Sequence, residues 1–123
     1  MKAVGDQPEG LPRNYAQPCL LLLLAEGPSH GYDLLEQVGR LGLERTDTGG
    51  LYRTLRGMER GGLVRSWWET SASGPPRRTY ELTDEGQDWL HVWAGALREV
   101  YRHLGGYLAR YAAVTDSAPV TPR

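Results

Sequence analysis

The stretch Thr48–Val64, T-G-G-L-Y-R-T-L-R-G-M-E-R-G-G-L-V, decides the fold of this chain. On a helix with 3.6 residues per turn, Leu51, Leu55 and Met58 fall on one side, so this apolar stripe is expected to face a core. The opposite side carries glycine and arginine at the same spacing: Gly49, Arg53, Arg56 and Arg60. The stretch therefore predicts a helix that is anchored on one side and offers guanidinium groups on the other.

The arginine side of this helix predicts contact with DNA. A short helix with Arg on its free side and Gly in its first turn can approach a phosphate backbone and still reach base edges in a major groove. Taken alone, the pattern equally fits a surface helix whose arginines are only solvated. The segment that follows the helix favours the DNA interface.

Two strand-like runs follow the helix after Gly61-Gly62, which is a plausible helix end. Residues 64–70 and 77–82 are rich in β-branched and aromatic side chains, and residues 71–76 form a loop of turn formers. The sequence thus predicts two helices, a third helix with an arginine face and then a hairpin. This is the order of elements in a winged helix-turn-helix domain. In that setting Arg77 and Arg78 of the wing are expected to touch phosphate or reach a minor groove.

The two tryptophans of the first strand are expected to lie on opposite faces of the hairpin. With a period of two, Trp68 shares a side with Val64 and Ser66, and pairing with Tyr80 and Leu82 would place it over the helices. Trp67 would then face outward beside Thr79 and Glu81. A one-residue slip of the strand pairing would exchange the two roles.

The chain before this stretch predicts two helices. Residues 13–26 contain five consecutive leucines, so this helix is expected to be buried on several sides, with Asn14 as its N-cap. Gly27-Pro28 breaks it, and Ser29 is expected to cap a second helix that ends near Leu41.

The C-terminal part predicts one long helix that starts at Thr83-Asp84-Glu85 and runs to about Tyr111. Its apolar residues alternate at spacings of three and four, and the run is longer than the winged domain needs for its own core. We therefore expect it to pack against a second copy of the chain. Trp89 and Trp93 are one turn apart, and they suit either dimer packing or the stacking of a flat aromatic effector. The candidate positions for either role are Trp89, Trp93, Ala96, Leu97, Val100 and Leu104.

Charge and cysteine content restrict the function further. The 123 residues carry a formal charge of only −1, but residues 45–78 hold seven Arg against three acids, a net +4, which points to a localised anionic partner. Cys19 lies in an apolar run and has no partner for a disulfide, which suits a reducing compartment. No signal peptide or membrane span is recognisable, so a cytoplasmic protein is expected. The three histidines are too scattered for a metal site, and no enzyme or cofactor motif is found.

These elements predict a mainly α fold with a small β-hairpin, divided into four parts. Residues 1–12 form a flexible arm, 13–82 the winged helix-turn-helix domain, 83–112 the dimerisation helix and 113–123 a flexible tail.

Three segments resemble the PadR family of bacterial transcriptional regulators. They are L-L-L-L-A-E-G-P-S-H-G-Y-D-L (21–34), G-G-L-Y-R-T-L-R-G-M-E-R-G-G-L-V (49–64) and G-P-P-R-R-T-Y-E-L-T-D-E-G (74–86). The resemblance covers roughly residues 17–86, and it is carried mainly by the G-x-L-Y-R-x-L and P-R-R-x-Y-x-L-T elements.

The resemblance implies a homodimer on a palindromic operator and repression that is relieved by a small-molecule effector. It also implies that the DNA is contacted by Thr48, Tyr52 and Arg53 of the recognition helix, by Tyr32 near a phosphate, and by Arg77 and Arg78 of the wing. Together with Gly49 and Arg56, these form the predicted DNA-binding set. In drug-responsive members an aromatic pair stacks the ligand, and that Trp position falls on Leu97 here.

Two other functions fit the same elements. A winged-helix adaptor would use Trp67 and the long helix to bind a protein rather than DNA, although it would not need the Arg face. An activator of the same fold would differ from a repressor only in where its operator lies relative to the promoter.

Overall fold

The computed structural model describes residues 12–117. The elements along the chain are α1 (Ala16–Ala25), β1 (Ser29–His30), α2 (Gly31–Arg40), α3 (Thr48–Arg60), β2 (Val64–Ser71), β3 (Gly74–Leu82) and α4 (Asp84–Ser117). This mainly helical fold with a small antiparallel sheet confirms the predicted class. The predicted arm, apart from Pro12, and the predicted tail from residue 118 lie outside the described residues.

The chain divides into two compact units, and the division falls between Leu90 and His91; α1 is the apolar centre of the first unit. Four of its five consecutive leucines are buried, whereas Leu22 is 42% exposed. Asn14 was expected to cap this helix, and that expectation is wrong. Asn14 has a left-handed backbone (φ 58°), and Tyr15 holds the cap position without a side-chain hydrogen bond.

Helix α3 is fixed by the predicted apolar stripe. Leu51 and Leu55 are fully buried and Met58 is nearly so, on a helix that contacts α1, α2 and β2. Full burial of a side chain of this size contributes about 1.5–3 kcal/mol relative to its exposure. The stripe therefore sets the rotation of α3 about its own axis.

The sheet has the strand order β1-β3-β2 and is antiparallel throughout. Strand β1 was not predicted: Ser29 pairs with Tyr80 and His30 pairs with Thr79. Ser29 was expected to cap α2, but it lies in this strand, and His30 occupies the cap position in an extended conformation. A two-residue strand is too short to give a periodic signal in the sequence.

The hairpin is longer than predicted and its loop is shorter. Strand β2 continues to Ser71 and β3 begins at Gly74, so only residues 72–73 lie between the strands, rather than residues 71–76. The pairing is irregular between Glu69 and Ser71. The two prolines at 75 and 76 lie inside β3, near the end of the hairpin, where a missing N–H is tolerated at an edge.

The predicted burial of Trp68 is wrong. Trp68 is 64% exposed, more than Trp67 at 38%, because its cross-strand partner is Arg78 rather than Tyr80 or Leu82. Val64 opposite Leu82 and Ser66 opposite Tyr80 occupy the part of this face that meets the helices. Trp68 lies further out towards the hairpin tip, beyond the core.

Hydrogen bonds connect the end of α3 to the start of α4. Gly62 has φ 82°, the N–H of Leu63 donates to the Met58 carbonyl at 2.9 Å, and the N–H of Gly62 donates to the Glu59 carbonyl at 3.1 Å, which is a Schellman motif. Thr83 caps α4 as predicted, because its Oγ1 accepts the Gly86 N–H at 3.0 Å and donates to the Gly62 carbonyl at 2.6 Å.

Helix α4 extends beyond the expected end near residue 112. It runs to Ser117, so residues 113–117 are helical rather than part of a flexible tail. Among residues 12–117, no helix combines the length and apolar character that crossing a membrane requires.

The left-handed backbone of Gly62 leads to a stability prediction. Gly62→Ala should lower the free energy of unfolding by about 1–2 kcal/mol, because a Cβ is disfavoured at positive φ. Gly61→Ala is the matched control, since Gly61 has φ −82° and a Cβ there meets only ordinary contacts. Urea unfolding of both variants tests this, and equal stability of the two would contradict the assigned conformation.

A second prediction concerns the buried Cys19 thiol. Burial raises the pKa of Cys19 above its ordinary value, although a hydrogen bond with Tyr15 opposes this shift. The thiolate is therefore scarce at pH 8, and the native protein should react slowly with a disulfide reagent. Reaction should become fast in guanidinium chloride, and fast reaction of the native protein would contradict burial of this side chain.

Candidate nucleic-acid interface

The outer face of α3 carries three arginines that form no ion pair within residues 12–117. These are Arg53, Arg56 and Arg60, and all three are exposed. Asp47 caps the helix by accepting the Gly50 N–H on Oδ1 at 3.0 Å. This face can therefore attract a polyanion.

The β2–β3 hairpin forms the wing. A groove of about 590 Å³ lies between this wing, α3 and the first turn of α2. It is lined by aromatic rings, arginines and one carboxylate: His30, Gly31, Tyr32, Tyr52, Arg56, Glu59, Trp68, Pro76, Arg77, Arg78 and Tyr80. Three guanidinium groups against a single acid make the groove cationic.

The groove brings together five of the eight residues that the sequence predicted for DNA contact: Tyr32, Tyr52, Arg56, Arg77 and Arg78. The other three, Thr48, Gly49 and Arg53, are exposed on α3 outside the groove lining. The predicted set is thus divided between a groove and the adjoining outer face of the helix.

Arg78 is the most constrained arginine of the groove. Its Nε donates to Ser66 Oγ at 3.0 Å, and its guanidinium lies 5.3 Å from the centre of the Trp68 ring. One terminal nitrogen is 4.0 Å from Glu59 Oε1, and the side chain is 36% exposed. Arg78 therefore keeps an accessible side while its Nε–H is hydrogen-bonded to the protein.

The tyrosines of the groove are placed by close packing. Tyr52 lies over Gly31 so closely that a Cβ at position 31 would come within 2.6 Å of its Cε1 atom, so a side chain there would displace the Tyr52 ring. Tyr80 is buried, and this burial raises the pKa of its hydroxyl, with a smaller opposing effect from Arg78. Tyr80 is accordingly a neutral hydroxyl at physiological pH.

A second network joins the three strands on the other side of the wing. Thr79, which is 4% exposed, has its Oγ1 3.0 Å from His30 Nδ1 and donates to Glu69 Oε1 at 2.9 Å. Glu69 is also 3.8 Å from His30 Nε2. This cluster ties β1, and with it the start of α2, to the wing.

Sequence reasoning missed several residues of this site. Glu59 lies one turn after Arg56 on α3, and this spacing alone could have placed it on the same face. Ser66 and Trp68 required the strand register, which pairs them with Tyr80 and Arg78. Pro76 was assigned to a loop and lies in β3.

The candidate dimer or effector positions on α4 differ in exposure. Ala96, Val100 and Leu104 are exposed, as is Trp89, whereas Trp93 and Leu97 are partly covered. Within residues 12–117, no group of three or more His, Cys, Asp or Glu side chains is placed to hold a metal ion.

Comparison with solved structures shows that this fold is shared. A PadR family transcription regulator from Clostridium difficile R20291 is 28% identical, with a TM-score of 0.69 over 77% of this chain and 99% of that one. A conserved protein of unknown function, described as a potential transcriptional factor, is 31% identical, with a TM-score of 0.73 over 87% of this chain and 97% of that one.

A third structure is PadR of Bacillus subtilis in complex with operator DNA. It is 24% identical with a TM-score of 0.61, and the match covers 68% of this chain but 48% of that one, so it shows similarity of fold. Comparison with curated protein sequences gave no match.

The model of the transcriptional regulator PadR-like family matches residues 20–92, which include the helices, the wing and the start of α4. This span is more than half of the chain, and it contains every residue of the groove. The chain therefore belongs to the PadR-like family of transcriptional regulators.

Proposed function

We propose that this protein binds a palindromic DNA operator as a homodimer and represses transcription there. The observation that carries the proposal is the juxtaposition of the exposed arginines on the outer face of α3 with the cationic groove beside the wing. A recognition helix and a wing with these charges suit a major groove and the flanking sugar-phosphate backbone.

Base reading is assigned to α3. Arg53 and Arg56 are exposed and have no acidic partner within residues 12–117, so their guanidinium groups are available for bidentate hydrogen bonds to guanine. Thr48 and Gly49 lie in the first turn, where the absence of a Cβ at position 49 allows close approach to DNA. The buried stripe of α3 fixes the direction in which these groups point.

Phosphate contact is assigned to the groove and the wing. Arg77 is exposed and Arg78 keeps an accessible side, while Tyr32 is 74% exposed at the start of α2. Residues 45–78 hold the net charge of +4 that such contacts need. The Bacillus subtilis protein, which shares the fold, was solved in complex with operator DNA, and this supports DNA as the partner.

Dimerisation is assigned to α4. In the unit that begins at His91, this helix carries an apolar stripe whose side chains are largely exposed. Its exposed members include Val92, Val100, Tyr101, Leu104, Tyr107, Leu108 and Tyr111. A continuous apolar surface of this length indicates a protein interface, and a symmetric pair of recognition helices would explain a palindromic site.

Release from DNA by a small aromatic effector completes the proposal. Its support is the resemblance to effector-responsive regulators and the spacing of Trp89 and Trp93 by one helical turn. The candidate contacts are Trp89, Trp93, Ala96, Leu97, Val100 and Leu104. Val100 and Leu104 also belong to the stripe assigned to the dimer, so ligand binding and subunit packing would be coupled.

The assignment of roles to individual arginines predicts distinct binding defects. Arg53→Ala should weaken binding to a duplex selected by the wild-type protein from a random library by about tenfold, and relax its base preference, because one bidentate contact contributes roughly 1–3 kcal/mol of discrimination. Arg78→Ala should weaken binding to the selected duplex and to a shuffled duplex alike, and reduce the salt slope by about one.

Fluorescence anisotropy at about 50 and 200 mM salt measures both effects. Arg98→Ala is the matched control, because it removes the same charge from an exposed position on α4. If Arg53→Ala and Arg78→Ala bind both duplexes as tightly as the control does, neither arginine belongs to the interface.

The dimer assignment predicts that one charge on the apolar stripe of α4 separates the subunits. Wild-type protein should elute with twice the chain mass of 13.7 kDa, and Leu104→Asp should shift it towards a monomer because burying an unpaired carboxylate is costly. Ala109→Asp, on the opposite side of the helix, should remain a dimer. Light scattering measures the mass, and a monomeric wild type would contradict the assignment.

A further inference from the structure

The DNA-facing groove contains an acid where electrostatics alone would disfavour one. Glu59 lines the groove together with Arg56, Arg77 and Arg78. A carboxylate at this place lowers the positive potential and repels phosphate, so its presence requires a compensating role. The contacts of Glu59 show what that role is.

Glu59 is the first member of a series of hydrogen bonds that leads through Ser66 to Arg78. Ser66 Oγ donates to the Glu59 carboxylate, at 2.9 Å from Oε1 and 2.8 Å from Oε2, and accepts from Arg78 Nε at 3.0 Å. The terminal nitrogen of Arg78 is 4.0 Å from Glu59 Oε1, and the Trp68 ring supports the guanidinium. These contacts join α3, β2 and β3, and they hold the guanidinium at Nε by a hydrogen bond and near one terminal nitrogen by the carboxylate charge.

We propose that Glu59 is a positioning residue for DNA binding, which holds the Arg78 guanidinium in the groove through Ser66. The proposal rests on the proposed function and deepens it. Arg78 then meets a backbone phosphate in an orientation that is set before binding, so the side chain loses little conformational freedom when DNA arrives. Glu59 also links the recognition helix to the wing, because its own backbone belongs to α3.

The two possible roles of Glu59 predict opposite changes in DNA affinity when its carboxylate is removed. If Glu59 were only a negative charge in the groove, Glu59→Ala would raise the affinity for every duplex and steepen the salt slope. If Glu59 positions Arg78, the same variant should lower the affinity by about tenfold, since Ser66 and the Arg78 guanidinium lose the carboxylate that holds them and must be ordered when DNA binds. Ser66→Ala should also lower the affinity, although it changes no charge.

Glu44→Ala is the matched control. Glu44 is exposed in the turn before α3 and lies outside the groove lining, so this variant removes the same charge without touching the chain of contacts. Its affinity for DNA should equal or slightly exceed that of the wild type. Anisotropy titration with the selected and the shuffled duplex compares all four proteins.

A measurement without DNA tests the positioning itself. The Arg78 Nε–H should give a slowly exchanging cross-peak in a ¹⁵N–¹H spectrum, which is assigned by its loss in Arg78→Lys. The peak should broaden or vanish in Glu59→Ala and in Ser66→Ala. The Nε–H of Arg65, which donates to Glu81 Oε1 at 2.9 Å, is an internal reference that should not change.

The outcomes distinguish the positioning role of Glu59 from the proposed binding of DNA. Lower affinity of Glu59→Ala and Ser66→Ala together with loss of the Arg78 peak supports the positioning role. An affinity of Glu59→Ala that rises like that of Glu44→Ala, or an Arg78 peak that stays unchanged, overturns the positioning role and leaves the proposed function intact. If the wild-type protein itself shows no salt-dependent duplex binding, the proposed function fails, and a role in DNA binding fails with it.

Discussion

The burial of one side of α3 is the constraint on which the other features depend. Leu51, Leu55 and Met58 are almost completely removed from solvent, and each contributes more by burial than any single exposed ion pair does. A rotation of the helix by one residue, about 100°, would turn Arg56 towards the core, and an unpaired buried charge is very costly there. The leucine-methionine stripe therefore determines where the arginines point, although it makes no contact with a partner.

The groove follows from this constraint combined with the register of the sheet. Once α3 is fixed, the pairing of Ser66 with Tyr80 and of Trp68 with Arg78 places the wing side chains opposite Tyr52 and Arg56. Gly31 allows Tyr52 to lie across the start of α2, and the cluster of His30, Thr79 and Glu69 ties that start to the wing. The elements that carry the positive charge of the groove, α3 and the wing, are thus connected to their neighbours by contacts on both sides of the wing.

Much of this architecture could be predicted from the sequence because long periodic elements carry strong signals. The stripe of α3, the start of α4 at Thr83 and the glycine end of α3 needed only local rules. Other features depended on tertiary context: the strand at Ser29 exists only through its pairing with Tyr80, and the exposure of Trp68 reflects how far the hairpin extends past the helices. The role proposed for Glu59 could not be predicted from the sequence, because it depends on side-chain distances. A Glu on the exposed side of a helix that carries arginines has the pattern of an ordinary surface charge.

A ¹⁵N–¹H spectral titration of the protein with a duplex, read at the backbone amides, shows directly whether the arginine side of α3 meets DNA. We expect the largest shifts on the first turns of α3 and on wing residues 77–78, and we expect them to decrease as salt is added. Shifts that concentrate on residues 91–117, or no shifts at low salt, would show that the outward arginines of α3 do not meet DNA.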